Sequence, residues 1–373
     1  MMQLLDVRPK QPLDTLIQQL IAIKDIAKNV EIHSNFCIRH PDYKPLELPD
    51  EVVSRFQQLP LNLQHKFLHS QLCSFLYGVY YNGGLRAALA LDAEAIDSTR
   101  LQNLENNTFL GVDVGFYDRL HSSNSGEGYF DPGWQVIGEQ SDRTLVVKKN
   151  ELTLHIERDR HLAPSQATAI LGDWVALRMP RNIVQNGFYM AVGNLGQYSS
   201  TAPDRQQQLV RVYFNISPEG AVTVMASLTK QLNAISIPFC FKALYNPKDY
   251  GRYDTAVLYF EKHNYPTIRQ VLQSIYAESQ LHFGEEVPLF TKSIAPGLAV
   301  AEEPNRKFSA QESFGLNRCH IVANSLLEAR QKGDESKVNR MVLILEKFAQ
   351  QEVDLQYPYL NPGSQDIYTS LEQ

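Results

Sequence analysis

The chain contains few cysteines and no long apolar run, and both absences limit what kind of protein it can be. Four cysteines occur among 373 residues, far apart and with no CxxC pair. This spacing is typical of reduced thiols in a cytosolic protein rather than of a disulfide-rich scaffold. No apolar stretch reaches the roughly 18 residues that a membrane-spanning helix needs, so we expect no transmembrane segment.

Charge of one sign is not concentrated anywhere along the chain. The formal net charge is −6 and the sequence pI is about 5.9. An acidic chain without a basic tract is not expected to bind nucleic acid or an anionic membrane. The first residues, MMQLLDVRPKQPLD, lack the charged and apolar regions of a secretory signal, which favours a cytoplasmic location.

Common catalytic and cofactor motifs are also missing. The sequence has no GxxxxGKS/T, HExxH or GxSxG pattern and no EF-hand loop, so we predict no cofactor. His65 and His69 are four residues apart on a predicted helix, a spacing that could bind a metal. Because no third ligand lies nearby in the sequence, we favour ordinary histidines over a metal site, by roughly five to one.

The residues that are present divide the chain into segments of different character. Apolar residues at helical spacing predict helices over 12–30, 49–57 and 62–91, the last with an interruption at Gly83-Gly84, and hence a helical domain at 1–105. Glycine, serine and asparagine dominate the next segment, so residues 106–143 are predicted to form a loop or lid. Residues 361–373 are predicted to be a tail.

Strand patterns are frequent in the segment 144–360, which we predict to be an α+β domain. The expected strands cover residues 144–148, 152–156, 173–177, 188–192, 210–216, 239–245 and 255–260. The expected helices cover residues 220–233, 266–282, 311–331 and 334–351. Because strands and helices alternate only partly, the predicted fold class is α+β: an N-terminal helical domain followed by a mixed, mostly antiparallel sheet flanked by helices.

The main functional signal is a lysine inside an apolar strand. Lys242 lies within the segment FCFKALY, and a half-buried ammonium is unfavourable unless it is paired or used. In the strand-like segment RVYFNI, alternation places Arg211 and Tyr213 on the same face. Arg252 precedes another apolar strand. Guanidinium groups bind phosphate oxygens in pairs, so these residues together favour a site for a phosphorylated substrate.

Each of these residues also has an ordinary structural interpretation. Lys242 could lie at a strand edge with its amine in water, and we consider that about as probable as a functional role. Arg211 could pair with an acidic residue such as Asp254, and Tyr213 could be a packing aromatic. If the arginines instead lie close to Lys242, their charges would lower its pKa and favour a free amine near neutral pH.

Several sequence blocks resemble a known family. Residues 187–194 (GFYMAVGN), RVYFNIS, FKALYNPKDYGRYDTAVLYF, PGLAVAEEP (296–304) and ESFGLNRC (312–319) are similar in order and spacing to the HopA-type type III secretion effector family. The resemblance covers roughly residues 165–335. Members also occur in cyanobacteria and actinomycetes, and some are associated with the biosynthesis of modified peptides of the lanthipeptide kind. The resemblance implies a lyase acting on phosphoserine or phosphothreonine.

A more distant similarity is to the OspF/SpvC phosphothreonine lyases, which remove phosphate by β-elimination. This resemblance implies that Lys242 is the base, that Tyr213 stands at the position of the general acid, and that Arg211, Arg252 and Arg318 bind phosphate. Two positions differ from that pattern, because tyrosine replaces histidine at 213 and arginine replaces lysine at 211. A phenol is a weaker acid than an imidazolium.

The function expected from the sequence is therefore a carbon–oxygen lyase that uses neither metal nor cofactor. Its partner would be a phosphorylated peptide or protein, supplied by a separate kinase. One alternative is a non-catalytic module that only binds a phosphorylated partner. A third is a structural α+β domain in which Lys242, Arg211 and Arg252 lie on different surfaces.

Overall fold

A computed structural model describes residues 11–92, 108–109, 111–197 and 209–371. The chain has an α+β fold with helices at its N-terminal end, as predicted. In the described residues the helices are α1 (Gln11–Asn29), α2 (Asp50–Gln57), α3 (Leu61–Phe75), α4 (Val114–Ser123), α5 (Arg158–His161), α6 (Pro218–Ala234), α7 (Tyr265–Ser279), α8 (Phe314–Gln331) and α9 (Lys337–Gln350).

The strands form four sheets, and every strand pair among the described residues is antiparallel. The strands are β1 (Glu31–Ile32), β2 (Ile38–His40), β3 (Tyr43–Leu46), β4 (Thr108–Phe109), β5 (Val112–Asp113), β6 (Tyr129–Glu139), β7 (Leu145–Lys149), β8 (Leu152–Ile156), β9 (Trp174–Met179), β10 (Asn182–Gln185), β11 (Phe188–Val192), β12 (Leu209–Phe214), β13 (Cys240–Leu244), β14 (Ala256–Glu261), β15 (Lys292–Ala295) and β16 (Leu298–Glu302).

The largest sheet has seven strands in the order β10-β11-β13-β14-β12-β16-β15. Its central strands are buried on both faces. This burial explains why the sequences of β12 and β14 are almost entirely apolar. Helix α6 connects β12 to β13, and α7 connects β14 to β15. These two helices pack against each other, and α6 also contacts β13.

The N-terminal helices share one hydrophobic core with this sheet. Helix α3 continues into a π-helical segment, Leu76–Tyr81, and both pack on α8, while α1 packs on α9. Leu72 and Phe75 of α3 belong to the same buried cluster as Val212 of β12 and Phe260 of β14. The boundary at residue 105 stays a prediction.

A smaller four-stranded sheet, in the order β8-β7-β6-β9, has a hydrophobic cluster of its own. Trp134, Val147 and Ile156 are buried in this cluster, and all three are 3% exposed or less. The chain therefore buries apolar side chains in two separate places.

Three expectations from the sequence need correction. Residues 106–143 are not only a loop, because helix α4 and strand β6 lie within them; residues 106–107 and 110 lie outside the described residues. The helix expected over 62–91 ends with the π-helical segment at Tyr81, and Gly83 has a positive φ of 74°. Residues 361–371 pack on the sheet, where the Leu371 amide donates to the Ile294 carbonyl at 2.8 Å.

The remaining predicted strands and helices correspond to observed elements, with ends that differ by a few residues. All four cysteines are free and buried. In the described part of the chain, no helix combines the length and the apolar character that a membrane crossing requires.

Candidate functional site

Three neighbouring strands place Lys242, Tyr213 and Arg211 on one face of the large sheet. Lys242 on β13 is directly opposite Val257 on β14, and Val257 is directly opposite Tyr213 on β12. Side chains of directly paired residues point to the same face. Arg211 is two residues before Tyr213 and therefore shares that face.

The Lys242 ammonium is surrounded by aromatic rings instead of carboxylates. Its Nζ atom lies 4.2 Å from the ring centre of Phe188 and 5.5 Å from that of Tyr259. Such cation–π contacts replace part of the lost hydration of a half-buried amine. Among the described residues, no acidic side chain forms an ion pair with Lys242.

Arg211 contacts the same tyrosine as Lys242 but has an acidic partner. Its guanidinium carbon lies 5.1 Å from the ring centre of Tyr259, and its Nε atom donates to the carboxylate of Glu303. Glu303 is 8% exposed and also accepts a hydrogen bond from Lys307 at 2.5 Å. Burial opposes the charge of Glu303, but Arg211 and Lys307 hold its pKa below the usual value.

Arg252 is held by a second buried carboxylate. Its Nε and Nη2 atoms donate to the two oxygens of Asp254 at 2.5 and 2.9 Å. Asp254 also accepts hydrogen bonds from Tyr77 and Asn82, both at 3.1 Å. The acid that the sequence suggested as a partner of Arg211 is therefore the partner of Arg252.

Arg318 on α8 is a buried guanidinium with no carboxylate partner in the part of the chain that the structure describes. It is 2% exposed and donates to the carbonyls of Pro358 at 3.0 Å and Leu360 at 3.5 Å, and to Asn317 Oδ1 at 2.6 Å. Burial lowers the pKa of Arg318 to about 10. An unpaired buried cation of this kind favours an anionic ligand.

Two buried phenols lie between these basic residues. Tyr213 and Tyr81 are 3% and 1% exposed, with ring centres 6.4 Å apart. The two hydroxyls interact with each other, and neither has another hydrogen-bond partner among the described residues. Burial raises the pKa of Tyr213, although the charge of Arg211 opposes that rise. A pair of buried hydroxyls with no further partner keeps hydrogen-bonding capacity for water or a bound ligand.

Contacts through shared neighbours link the five predicted site residues. Lys242, Arg211 and Tyr213 share a sheet face, and Phe314 connects Tyr213 to Arg318, since its ring lies 6.4 Å from that of Tyr213 and 4.8 Å from the guanidinium of Arg318. The ring of Tyr81 lies 4.8 Å from that of Tyr77, the hydrogen-bond partner of Asp254. The structural alternative with residues on different surfaces is wrong for Lys242 and Arg211.

Sequence reasoning missed the residues that complete this region. Glu303, Tyr259, Tyr77 and Tyr81 were not singled out. A signal existed for Tyr259, because it lies in the predicted strand 255–260 at an alternating position relative to Val257. No local pattern indicated that Tyr77 and Tyr81, far away in the chain, would pack on this strand.

Comparison with known proteins supports the resemblance noted in the sequence. Residues 179–360 match the HopA1 effector protein family, and this match includes all five predicted site residues. None of the curated protein sequences compared with this chain matches it.

Two solved structures match part of the chain. The effector protein from Pseudomonas syringae pv. syringae strain 61 has 17% identity and a TM-score of 0.40, with 66% of this chain and 80% of that chain covered. The effector protein from Pseudomonas syringae pv. tomato strain DC3000 has 16% identity and a TM-score of 0.39, with the same coverages. Residues 179–360, just under half of the chain, are thus similar to the HopA1 effector protein family.

Proposed function

We propose that the protein is a phosphoserine or phosphothreonine lyase that acts on a peptide or protein. The observation that carries this proposal is the position of Lys242, which has aromatic but no acidic neighbours and shares a sheet face with Arg211 and Tyr213. A lysine without a carboxylate partner is not held in its charged form by an ion pair. Loss of its proton breaks no ion pair and opposes only the two cation–π contacts, so the amine can act as a base.

In the proposed reaction the neutral amine of Lys242 removes the Cα proton of the phosphorylated residue. The electron pair of that C–H bond forms the new double bond, while the bond between Cβ and the phosphate oxygen breaks. Phosphate leaves with the electrons of that bond, and a dehydroamino acid remains. Water is not a reactant, which distinguishes this elimination from the hydrolysis that a phosphatase catalyses.

The arginines would stabilise negative charge on the leaving phosphate. Arg318 has no carboxylate partner among the described residues, so it can accept an anion without losing an ion pair. Arg211 and Arg252 are oriented by Glu303 and Asp254, and phosphate would have to compete with these acids or use the remaining N–H groups. A guanidinium has five N–H donors, so sharing between two anions is possible.

Tyr213 would act as a hydrogen-bond donor to the oxygen between carbon and phosphorus. Burial raises the pKa of its phenol, so the hydroxyl keeps its proton at neutral pH. Among the described residues only the Tyr81 hydroxyl interacts with it, so a ligand oxygen can take that place as the acceptor. The partner implied by this chemistry is a phosphorylated peptide or protein, and a separate kinase must introduce the phosphate.

A second candidate is a non-catalytic module that binds a phosphorylated partner. Two observations favour it: Arg211 and Arg252 already have carboxylate partners, and a raised pKa makes Tyr213 a weak acid. Such a site could recognise phosphate without transferring a proton. The two candidates differ in their dependence on Lys242, because only elimination requires a base.

The test is mass spectrometry of synthetic phosphoserine and phosphothreonine peptides incubated with the native protein. Lys242→Ala removes the proposed base, and Lys248→Ala, at an exposed lysine six residues later, is the matched control. We expect peptides to lose the mass of phosphoric acid with the native protein and with Lys248→Ala. With Lys242→Ala, turnover should fall by a factor of 100 or more, since general base catalysis typically contributes about 10²–10⁴-fold.

Binding of the same peptides, measured by fluorescence anisotropy, separates the two candidates. Retained binding without mass loss, for native protein and variant alike, would favour the binding module. Loss of only the phosphoryl group, leaving serine or threonine, would indicate hydrolysis and contradict elimination. Neither turnover nor binding across the peptide set would contradict both candidates.

A further inference from the structure

Two histidines and a cysteine meet where helix α3 packs on helix α8. The Sγ atom of Cys73 lies 3.8 Å from Nδ1 and 3.7 Å from Nε2 of His69. The ring centres of His69 and His320 are 5.0 Å apart. One ligand atom from each of the three residues lies within 4.8 Å of the others. No part of the proposed elimination uses this cluster.

The arrangement follows from helical periodicity and packing. His69 and Cys73 are four residues apart on α3, so they lie on the same face of that helix. His320 comes from α8, which packs against α3. From the sequence, only the pair His65 and His69 was considered as ligands. In the structure, Cys73 on the same helix and His320 on the packed helix α8 supply the further donors.

The distance between Cys73 and His69 fits a tetrahedral metal ion, and a ligand atom of His320 lies within 4.8 Å of both. With Zn–S near 2.3 Å and Zn–N near 2.1 Å, a sulfur and a nitrogen on one tetrahedron are about 3.6 Å apart. The separation between Cys73 and His69 is within 0.2 Å of that value. One thiolate and two imidazoles are typical ligands for Zn²⁺. We propose that His69, Cys73 and His320 bind one Zn²⁺ ion.

A second layer of hydrogen bonds orients the proposed ligands. The Nδ1 atom of His320 contacts the carboxylate of Glu312, which leaves Nε2 for the metal. The Glu312 side chain is 0% exposed and accepts hydrogen bonds from the Phe308 amide and from Asn317 Nδ2, both at 2.8 Å. Histidines that bind zinc usually make such a bond to a carboxylate through their other ring nitrogen.

The cluster is accessible from a large open cavity. That cavity has a volume of about 770 Å³, and its lining includes His65, His69, His320 and Asn324. His65 lies one turn before His69 on α3. The fourth position on the metal can therefore be filled by water from the cavity or by His65, as in zinc sites with three fixed protein ligands.

The alternative is an ordinary S–H···N hydrogen bond between Cys73 and His69. Burial raises the pKa of Cys73 to about 12, so without metal the side chain is a thiol at neutral pH. Zinc coordination would then release the thiol proton to solvent as the S–Zn bond forms. Burial and the nearby His320 lower the pKa of His69, which favours its neutral form.

The proposed metal site is connected to the phosphate-binding region. His320 contacts Glu312, Glu312 accepts from Asn317 Nδ2, and Asn317 Oδ1 accepts from Arg318. The metal would thus hold His320 at one end of this series of hydrogen bonds, and the guanidinium of Arg318 lies at the other end. It would also link α3 to α8 and stabilise the folded chain.

The test is metal binding by the full chain after treatment with a chelator and removal of the chelator. Titration with Zn²⁺ should give one ion per chain and raise the melting temperature. Co²⁺ in place of zinc should give a thiolate-to-metal charge-transfer band, which reports the cysteine directly. Cys73→Ser should abolish this band, and His320→Gln should weaken zinc binding by at least tenfold.

Two variants serve as matched controls. Cys319→Ser removes another buried thiol next to His320 in sequence, and His263→Ala removes a histidine that is 63% exposed. Both should keep the cobalt band and one zinc per chain. If Cys73→Ser does not fold, His320→Gln still tests the site, because its side chain is 20% exposed. Absence of zinc binding, or zinc binding that is unchanged in His320→Gln and Cys73→Ser, would overturn the proposal.

Discussion

At the scale of single residues, the sequence drew attention to three arginines but did not indicate their partners. Arg211 and Arg252 were proposed from their residue type, their positions near strands and the family resemblance, and Arg318 from the resemblance alone. Their acidic partners could not be assigned, because Glu303 reaches Arg211 only through the pairing of β12 with β16. The sequence also did not indicate that Arg318 lacks an acidic partner among the described residues. Its guanidinium instead donates to the backbone carbonyls of Pro358 and Leu360, about 40 residues later in the chain.

The pair between Arg211 and Glu303 predicts a pH-dependent stability. Glu303→Gln leaves a buried guanidinium opposite a neutral amide, so the free energy of unfolding at neutral pH should fall by about 3 kcal/mol. The pKa of Glu303 in the folded state is below its usual value, whereas in the unfolded chain it is about 4.3. The carboxylate therefore stabilises the fold above that pH, and this contribution is lost as the pH falls through the lower, folded-state pKa.

Urea unfolding of the native protein and of Glu303→Gln, measured from pH 7 downwards, checks this prediction. The difference between the two should be largest at neutral pH and should shrink below a pH of about 4.3. Glu139→Gln is the control, because Glu139 pairs with Arg158 at 3.0 Å but is 46% exposed, so its change should be small. A constant difference at all pH values would show that Glu303 does not act through its charge.

At the scale of elements, periodicity predicted strands well and failed where a strand contains turn residues. Strand β6 falls within the segment predicted as a loop or lid from its glycine, serine and asparagine content, and the strand itself contains Pro132 and Gly133. These residues lie at an irregularity in the pairing of β6 with β9, between Asp131 and Trp134. A bulge accommodates proline and a glycine with a φ of 86° inside a strand. Composition alone cannot distinguish such a bulge from a loop.

The turn between β15 and β16 depends on a glycine for two reasons. Gly297 has a φ of 67°, and a Cβ atom there would lie 2.4 Å from the carbonyl oxygen of Gly284. Gly297→Ala should therefore add a steric clash with the backbone to the conformational strain. We expect the free energy of unfolding to fall by more than about 3 kcal/mol, the upper end for strain alone.

Gly333→Ala separates the two effects. Gly333 has a φ of 73°, but no atom lies within 4 Å of its added Cβ. This variant should lose only the strain, about 1 kcal/mol. Denaturant unfolding of both variants measures the difference. Equal losses for Gly297→Ala and Gly333→Ala would mean that the turn moves enough to accept the methyl group.

At the scale of the whole molecule, the fold class was predictable and the distribution of the core was not. Alternating apolar residues and partly alternating helices and strands were sufficient to predict an α+β chain. The sequence suggested a helical domain separate from the sheet, yet Leu72 and Val212 lie in one cluster. It also gave no sign that the strands of residues 129–179 form a separate core, because periodicity reports which face is buried and not which elements cover it.

The two hydrophobic clusters predict two regions of different stability. Val147 is 0% exposed within the smaller cluster, and Val147→Ala should destabilise the four-stranded sheet by about 2 kcal/mol. Amide hydrogen exchange should then become faster in β6–β9, with little change in β12–β14. Val212→Ala, also at a valine that is 0% exposed, should instead affect the seven-stranded sheet.

The two sheets are directly connected, because β6 begins with Tyr129, which packs against the larger cluster, and continues to Trp134 in the smaller one. If Val147→Ala accelerated exchange equally in both sheets, this continuity would make them one cooperative unit; exchange confined to β6–β9 would show that the smaller sheet opens while the candidate site stays folded.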